Sequence, residues 1–372
     1  MSRRINSEPI EWWSVKTSDA NFKGLKSVLK NNFPNEGPVT LFLEEFFKDY
    51  FKVNHAVLTT SGTIAIYLGL KAIGIGPGDR VAVPNLTFIA TANAVSLTGA
   101  TPVLVDVLEK SLCIDPVKLE AEHLVSPLNA VVPVHVSGRS AFSVELNNLI
   151  KRLGLPCVED AAEAFGSKDP ITGNFLGTIG SVGAFSFSPN KLITSGQGGL
   201  VLTNDLAINN AIREIKDQGR LVRGTGGDDL HNSVGFNFKF TDLQAALLAG
   251  QTRLISKRIH HLKNVYEYYR EHIKRHEILK EFNTTEGEFP LWPDVQLADR
   301  SKIEKKFQSA NIGYRRVWHP LSTQAPYRVE TSSLSVSLEV APKCLWLASS
   351  FNLKRINLAS IVAEINEVDN PR

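Results

Sequence analysis

The sequence predicts an α/β protein whose larger part is a mostly parallel sheet with helices on both faces. From Ala56 to Asp160, short apolar runs that suit buried strands alternate with segments that suit helices, and strands joined in this way form parallel sheets. From about Leu254 the chain changes to long charged helices, and 372 residues exceed the usual size of one core. We therefore expect a large domain over residues 1–250 and a smaller α/β domain over residues 251–372.

Apolar periodicity and turn residues place the individual elements. Leu41, Phe46 and Phe47 share one face of a helix predicted over residues 39–50, and Gly74-Ile-Gly-Pro-Gly-Asp79 is typical of a turn. Further helices are predicted over residues 21–30, 63–73, 88–97, 116–123, 141–153, 256–280 and 357–368. Strands are predicted over residues 56–58, 80–84, 101–107, 130–136, 156–160, 183–188 and 199–203.

The composition is that of an ordinary globular protein, with 43% apolar and 21% charged residues. A formal net charge of +3 without a dense Lys/Arg block argues against a nucleic-acid partner. No apolar run reaches the ~18 residues that span a bilayer, and three widely spaced cysteines favour a reducing compartment. We expect a cytoplasmic protein that binds neither nucleic acid nor membrane, and the scattered histidines and cysteines predict no metal site.

Lys191 is the first candidate for chemistry. It follows an apolar strand that breaks at Pro189 and precedes a glycine-rich turn, after which a second strand-like run begins at Gly199. A lysine on a tight loop between buried strands is desolvated, which lowers its pKa toward the range in which the neutral amine is a nucleophile. A Schiff-base lysine needs this setting, whereas the alternative is an ordinary solvated loop lysine.

Three other predicted strand ends carry residues that suit a cofactor, and ligands collect at this edge of parallel sheets. Thr60-Ser-Gly-Thr63 precedes a helix, where backbone N–H groups and the helix dipole hold phosphate, although a plain N-cap explains it equally. Asp160 could bind a ribose, a metal ion or a heterocyclic nitrogen. Phe88 could cover a flat ring or belong to the core.

Together, a phosphate cradle, an aromatic residue, a carboxylate and a lysine in this chain order describe pyridoxal 5'-phosphate held as a Schiff base. The joint pattern is more specific than any of its members. A nicotinamide cofactor is disfavoured, because Asp160 has no Gly-rich turn about 20 residues upstream.

The same residues lie in motifs that resemble those of the DegT/DnrJ/EryC1/StrS sugar-nucleotide aminotransferases, from about residue 37 to the C-terminus. The resemblance implies the PLP-dependent transferase fold type I (aspartate aminotransferase-like), with a mostly parallel seven-stranded sheet, and a homodimer with shared active sites. The motifs are Thr59-Thr-Ser-Gly-Thr63, Gly74-Ile-Gly-Pro-Gly-Asp79, Pro84-Asn-Leu-Thr-Phe-Ile-Ala-Thr-Ala-Asn93, Glu159-Asp-Ala-Ala-Glu-Ala-Phe-Gly166, Phe185-Ser-Phe-Ser-Pro-Asn-Lys191, Gly196-Gln-Gly-Gly199 and Gly235-Phe-Asn-Phe-Lys-Phe-Thr-Asp-Leu-Gln-Ala-Ala246.

The resemblance also implies a role for individual residues. Lys191 would form the Schiff base, and Asp160 would pair with the pyridine nitrogen. Phe88 would stack on the ring, and Glu163 would lie near the ring's 3-hydroxyl group. The phosphate would be held by Gly62, Thr63 and Ser186, and Asn237 would reach the phosphate of the neighbouring subunit.

The substrates that the resemblance implies are a nucleotide-linked keto-sugar and an amino-acid donor, glutamate, in surface-glycan or lipopolysaccharide biosynthesis. Asn237-Phe-Lys-Phe-Thr241 resembles the motif of members that act at C4, and Tyr314–Pro320 is similar to members that use GDP-4-keto-6-deoxymannose. Arg315 and His319 are candidate substrate contacts, or else a structural ion pair and a capped turn. Four departures from the family pattern bear on the sugar and the donor: Ser188, Gln197, Phe238 and Lys239.

Two other functions fit the same pattern: a C3 aminotransferase of a dTDP- or UDP-linked keto-sugar, and a non-catalytic sensor that binds pyridoxal phosphate. A dehydratase of the same scaffold would carry histidine in place of Lys191. A sensor fused to a DNA-binding domain would need an N-terminal helix-turn-helix, for which the residues before the resemblance leave no room.

Overall fold

The structure is a computed structural model that describes residues 8–15, 19–31, 34–220, 230–329 and 332–368. Within these ranges the helices are α1 (Asp19–Lys30), α2 (Pro38–Phe51), α3 (Gly62–Ala72), α4 (Ala90–Leu97), α5 (Pro116–Val125), α6 (Val144–Leu153), α7 (Leu206–Lys216), α8 (Asp242–Thr252), α9 (Ile255–His272), α10 (Arg300–Ser309), α11 (Ser335–Val340) and α12 (Arg355–Val368). The strands are β1 (His55–Thr59), β2 (Arg80–Pro84), β3 (Thr101–Val105), β4 (Ala130–Val131), β5 (Val158–Asp160), β6 (Val182–Ser186), β7 (Gly199–Thr203), β8 (Asp294–Gln296), β9 (Arg315–Arg316) and β10 (Cys344–Trp346).

Strands β1 to β7 follow one another across the protein in the order β3-β2-β4-β5-β6-β7-β1. Three of them form the parallel group β3-β2-β4, and four form the group β5-β6-β7-β1. Parallel bridges Val131↔Cys157 and Val134↔Asp160 connect the two groups. Only β7 of these described strands runs antiparallel to its neighbours, β6 and β1, which confirms the predicted, mostly parallel seven-stranded arrangement.

The strand directions place the candidate residues at one edge. Strands β1, β5 and β6 point the same way, so that Thr59, Asp160 and Ser186 end together. Gly199, the first residue of the antiparallel β7, pairs with both Thr59 and Ser186 at that edge. A side chain on Gly199 is excluded, because its Cβ would lie 2.2 Å from the Ser61 carbonyl oxygen.

Aromatic packing fastens α2 to the sheet. The ring of Phe47 stacks on Phe187 at 5.6 Å between centroids and meets Phe165 edge-on at 5.8 Å, and all three rings are buried.

The start of α2 is held by Asp242, at the start of α8. Its carboxylate accepts hydrogen bonds from the backbone N–H groups of Gly37 and Thr40 at 3.0 and 2.9 Å. A carboxylate at this position satisfies the unpaired donors that begin α2.

The C-terminal part contains a second, antiparallel sheet of order β8-β10-β9. Helices α9, α10 and α12 pack beside it around Tyr269, Phe307 and Leu345. The N-terminal residue Ile10 forms a parallel bridge with Ile312 in this part. A domain boundary near residue 250 stays a prediction.

Several elements are shorter than the sequence predicts. The strand predicted over residues 130–136 pairs regularly only at Ala130–Val131, because Pro133 has no N–H to donate and Ser137 adopts a left-handed backbone with φ 55°. Helix α9 ends at His272 rather than at residue 280, since Ile273 turns to an extended ψ of 118°. Helix α6 begins at Val144 because the Ser143 hydroxyl accepts the N–H of Leu146 at 3.1 Å.

No described helix combines the length and the apolar character that a bilayer crossing needs. Among the described residues, no three His, Cys, Asp or Glu side chains are grouped so as to hold a metal ion.

Candidate active site

A cavity of about 280 Å³ opens at the carboxyl ends of β1, β5 and β6. Eight of the ten residues predicted for the site line it, although they come from widely separated parts of the chain. They are Gly62, Thr63, Phe88, Asp160, Glu163, Ser186, Lys191 and Arg315.

One end of the cavity is the N-terminus of α3. Ser61 is the N-cap residue of α3, because its hydroxyl accepts a hydrogen bond from the N–H of Ile64 at 3.3 Å. For Ser61, the plain N-cap role considered from the sequence is therefore correct. Gly62 lets the end of β6 approach the helix, since a Cβ at this position would lie 2.8 Å from the Cβ of Ser186. Gly62, Thr63 and the Ser186 hydroxyl therefore converge on a helix terminus, which favours an anion.

Asp160 lies on the wall formed by β5 and is buried. Its carboxylate accepts hydrogen bonds from the Thr91 hydroxyl at 2.7 Å and from the N–H of Ala162 at 3.1 Å. Because Thr91 donates its proton to Asp160, the Thr87 hydroxyl must donate to Thr91, at 3.0 Å. Burial raises the pKa of Asp160, while these hydrogen bonds and the charge of Lys191 oppose the rise.

Lys191 extends its amine between an acid and an aromatic ring. Its Nζ lies 3.7 Å from Oε1 of Glu163 and 4.9 Å from the centre of the Trp292 ring. Burial lowers the pKa of Lys191, and the carboxylates of Glu163 and Asp160 act in the opposite direction. The net lowering is what the sequence predicts for a nucleophilic amine.

The Glu163 carboxylate is held on its other oxygen. Oε2 accepts the backbone N–H of Ser137 at 2.9 Å, so Oε1 is the oxygen that faces Lys191. Ser137 is fixed in turn, because its hydroxyl accepts Nε1–H of Trp346 at 2.8 Å and its carbonyl accepts the N–H of Leu291 at 2.8 Å. Burial raises the pKa of Glu163 despite the nearby Lys191.

The neighbouring acid, Glu159, organises the loop behind the site. It is buried and accepts the N–H groups of Gly177, Ile179 and Gly180 at 2.6 Å. His135 also contacts it at 2.9 Å through Nε2. Since the N–H of Ala141 donates to Nδ1 of His135, Nε2 carries the proton and donates it to Glu159.

Phe88 is half exposed and lines the cavity, so it is not a core residue.

The guanidinium of Arg315 lies over the rings of Trp12 and Trp346, at 5.4 and 5.7 Å from their centres. Among the described residues, no carboxylate forms an ion pair with Arg315. The alternative considered from the sequence, in which Arg315 forms a structural ion pair, is therefore not supported.

Two of the ten predicted residues do not line the cavity. Asn237 is exposed, in a segment whose backbone pairs with Asp217, and its contact with a neighbouring subunit stays a prediction. His319 is also exposed, and its carbonyl oxygen accepts a hydrogen bond from the Gln324 side chain at 2.9 Å, as in a capped turn. Its role as a substrate contact is thus not supported by its position in this chain.

The four departures from the family pattern fall into two groups. Ser188 and Gln197 line the cavity, and the Ser188 hydroxyl donates to Oε1 of Gln197 at 3.3 Å. Lys239 does not line it, and its amine forms an ion pair with Asp217 at 2.5 Å. Phe238 stacks on Phe236 at 5.2 Å.

Three residues of the site are not among those predicted from the sequence: Thr91, Trp292 and Trp318. Thr91 lies on the first turn of α4, whereas Thr87 precedes the helix, so helical spacing does not predict the contact between their hydroxyls. Trp292 and Trp318 line the cavity from the C-terminal part of the chain, and nothing in their local sequence connects them with Lys191.

Comparisons with known proteins agree with this geometry. The sequence profile described as the DegT/DnrJ/EryC1/StrS aminotransferase family matches residues 16–366. GDP-perosamine synthase from Caulobacter vibrioides is 33% identical over 339 residues, which covers 87% of this chain and 88% of that protein. UDP-2-acetamido-2-deoxy-3-oxo-D-glucuronate aminotransferase from Pseudomonas aeruginosa is 33% identical over 256 residues, which covers 67% of this chain and 69% of that protein.

Among solved structures, DesV from S. venezuelae, in complex with a ketimine intermediate, is similar to this chain over most of its length. The two are 28% identical, with a TM-score of 0.87 and 95% of each chain covered. This similarity confirms the predicted fold class, the PLP-dependent transferase fold type I.

Proposed function

The chain belongs to the DegT/DnrJ/EryC1/StrS aminotransferase family, and from this premise we propose that it moves an amino group from L-glutamate to C4 of a nucleotide-linked 4-keto-6-deoxy sugar. The similarity to GDP-perosamine synthase supports a GDP-linked sugar, and the motif Asn237-Phe-Lys-Phe-Thr241 supports the C4 position. The product would be an amino sugar for a surface glycan such as lipopolysaccharide. The observation that carries the chemistry is the amine of Lys191, buried between Glu163 and the Trp292 ring.

The cavity fits pyridoxal phosphate as the cofactor. Gly62, Thr63 and Ser186 form an anion cradle at a helix N-terminus, and a Cβ on Gly62 would collide with Ser186. Asp160 is a buried carboxylate, and burial raises its pKa. A cationic ring nitrogen beside it would lower this pKa again. Phe88 offers an exposed ring to cover a planar group, and the amine of Lys191 is the group that condenses with an aldehyde.

When bound, pyridoxal phosphate supplies an aldehyde carbon and a ring that accepts electrons. Asp160 keeps a proton on the ring nitrogen, and Thr91 holds the Asp160 carboxylate in place. Lys191 accepts the proton of the donor's α-carbon on Nζ and later returns a proton as general acid. Glu163 keeps this amine within the cavity, where its Oε1 lies 3.7 Å away.

We also propose that two chains share each active site. Asn237 lies outside its own cavity on an exposed segment, which leaves its side chain available to a second subunit. A homodimer in which Asn237 reaches the phosphate of the neighbouring site follows from the family resemblance.

The function is tested by product analysis. Purified protein loaded with pyridoxal phosphate is incubated with glutamate and, in separate reactions, with GDP-, UDP- and dTDP-linked 4-keto-6-deoxy sugars. We expect mass spectrometry to show the amino sugar from the GDP-linked substrate, and NMR to place the nitrogen on C4. Turnover of none of the three substrates would contradict the proposal.

The second candidate is a C3 aminotransferase. It is favoured by the similarity to the P. aeruginosa aminotransferase, whose name specifies a 3-oxo sugar. Adding a UDP-linked 3-keto sugar to the same panel separates the two, because only a C3 enzyme converts it while leaving the 4-keto sugars unchanged.

A further inference from the structure

The N-terminal segment, residues 10–14, is fastened to the C-terminal part of the protein by its backbone. The N–H of Ile10 donates to the Asn311 carbonyl at 2.9 Å, and the N–H of Gly313 donates to the Ile10 carbonyl at 2.7 Å. The N–H of Ser349 donates to the Trp12 carbonyl at 3.2 Å. This segment precedes residues 16–366, which the family profile matches.

The two tryptophans of the N-terminal segment reach the active site. Nε1–H of Trp13 donates to the carbonyl oxygen of Pro189 at 3.1 Å, on the loop that carries Lys191. The Trp12 ring packs against the Trp292 ring at 5.3 Å, and Trp292 in turn lies beneath the amine of Lys191. The segment therefore forms an outer layer of the wall that holds the reactive lysine.

Trp12 also contacts Arg315, a cavity residue that forms no ion pair with any of the described carboxylates. The guanidinium of Arg315 lies over the rings of both Trp12 and Trp346. Its charge is close enough to lower the pKa of both Lys191 and Glu163. No carboxylate among the described residues forms an ion pair with Arg315, so Glu163 attracts it without pairing with it, while the amine of Lys191 repels it. An anionic ligand would relieve this repulsion.

We propose that the N-terminal segment is a positioning element of the active site, in which Trp12, together with Trp346, aligns Arg315 to bind an anionic oxygen group of the substrate. The inference rests on the proposed function, in which both substrates carry such a group: the carboxylate of the amino donor and the diphosphate of the sugar nucleotide. Aromatic rings beside a guanidinium suit this task, because the guanidinium is planar and keeps its in-plane N–H donors available when rings lie over its faces.

The test compares Trp12→Leu, which removes the ring, with Trp12→Phe, which keeps an aromatic face. Phe22→Leu is a matched control, since it removes an exposed ring from α1 that does not line the cavity. Binding of glutarate, a dicarboxylate without an amine, and of GDP is measured by calorimetry on protein loaded with pyridoxal phosphate. No turnover is needed, so the result is independent of which keto-sugar the enzyme uses.

We expect Trp12→Leu to lower the affinity for one of the two ligands by roughly three- to thirtyfold. Trp12→Phe and Phe22→Leu should bind both ligands with affinities close to those of the wild type. Weaker glutarate binding assigns Arg315 to the donor carboxylate, and weaker GDP binding assigns it to the diphosphate. In turnover assays the KM of that substrate rises in Trp12→Leu while kcat stays within about twofold. The proposal is overturned if wild type binds neither ligand, if Trp12→Leu binds both as wild type does, or if Trp12→Phe is as defective as Trp12→Leu.

Discussion

The amine of Lys191 lies 3.7 Å from the carboxylate of Glu163, and both side chains are almost completely buried. Burial lowers the pKa of the amine, while the negative charges of Glu163 and Asp160 raise it. The balance leaves the pKa below its ordinary value, so a larger fraction of Lys191 is neutral at neutral pH than for a solvated lysine.

Replacing Lys191 with alanine should abolish covalent capture of pyridoxal phosphate. We expect borohydride to fix the cofactor to wild type and not to Lys191→Ala, because no other lysine lines the cavity among the described residues. Transamination should fall by roughly 10²–10⁴-fold, the contribution of a positioned acid–base group. Intact-protein mass spectrometry after reduction measures the capture, and equal capture by both proteins would falsify the assignment of Lys191.

Glu163→Gln should lower the pKa of Lys191 further. The substitution removes the negative charge that most strongly favours the protonated amine, so the neutral form appears at lower pH. The measurement is the pH dependence with which an amine-directed reagent labels Lys191 in cofactor-free protein, read from the labelled peptide. Asp160→Asn should produce a smaller shift in the same direction, since Asp160 is the weaker of the two acidic influences. A shift to higher pH in Glu163→Gln would contradict this account.

Thr91→Val should disturb Asp160 without moving the backbone. It removes a hydroxyl that donates to the buried carboxylate at 2.7 Å, and a hydrogen bond to a charged group contributes about 1.5–3 kcal/mol. The pKa of Asp160 should rise, so the acid limb of the kcat/KM profile should move to higher pH. Thr87→Val is the control, because Thr87 contacts Thr91 rather than Asp160. Identical acid limbs in both variants would exclude a role for the Thr91 hydroxyl.

Asn237→Ala should weaken retention of pyridoxal phosphate, although Asn237 does not line its own cavity. If the side chain donates to the phosphate of a neighbouring subunit, its loss should raise the dissociation constant roughly fivefold to tenfold. Dialysis followed by absorbance of the remaining cofactor measures this change. Asn232→Ala, an exposed neighbour in the same segment, should behave as wild type. Unchanged retention in Asn237→Ala would count against a shared site.

The sequence predicts the parts of the site that depend on strand order. Three of its residues lie at or just after strand ends: Asp160, Ser186 and Lys191. Parallel strands bring their carboxyl ends to one edge of the sheet, and this does not depend on the conformation of the loops. The lengths of individual elements were less predictable. The strand over residues 130–136 was overestimated because apolar character does not show that Ser137 turns left-handed to meet Glu163.

Contacts made across the chain could not be predicted from the sequence. Trp292 follows the motifs by a long stretch of sequence, and it approaches Lys191 from the C-terminal part of the chain. Trp12 and Trp13 lie in a polar N-terminal stretch that predicts no element of its own. The preceding residue Ile10 pairs through its backbone with Ile312 and Gly313, and this pairing holds the two tryptophans beside the cavity. No local sequence pattern predicts it.

The chain contains five tryptophans, and consecutive ring contacts of 6.5 Å or less join Trp13, Trp12, Trp292, Trp346 and Trp318 into a single cluster around the cavity. The tryptophan emission of the protein therefore originates beside its reactive lysine, because the sequence has no tryptophan outside this cluster. An absorbing ring that enters this cavity should quench most of that light by energy transfer. Occupancy could thus be followed in real time without attaching a dye.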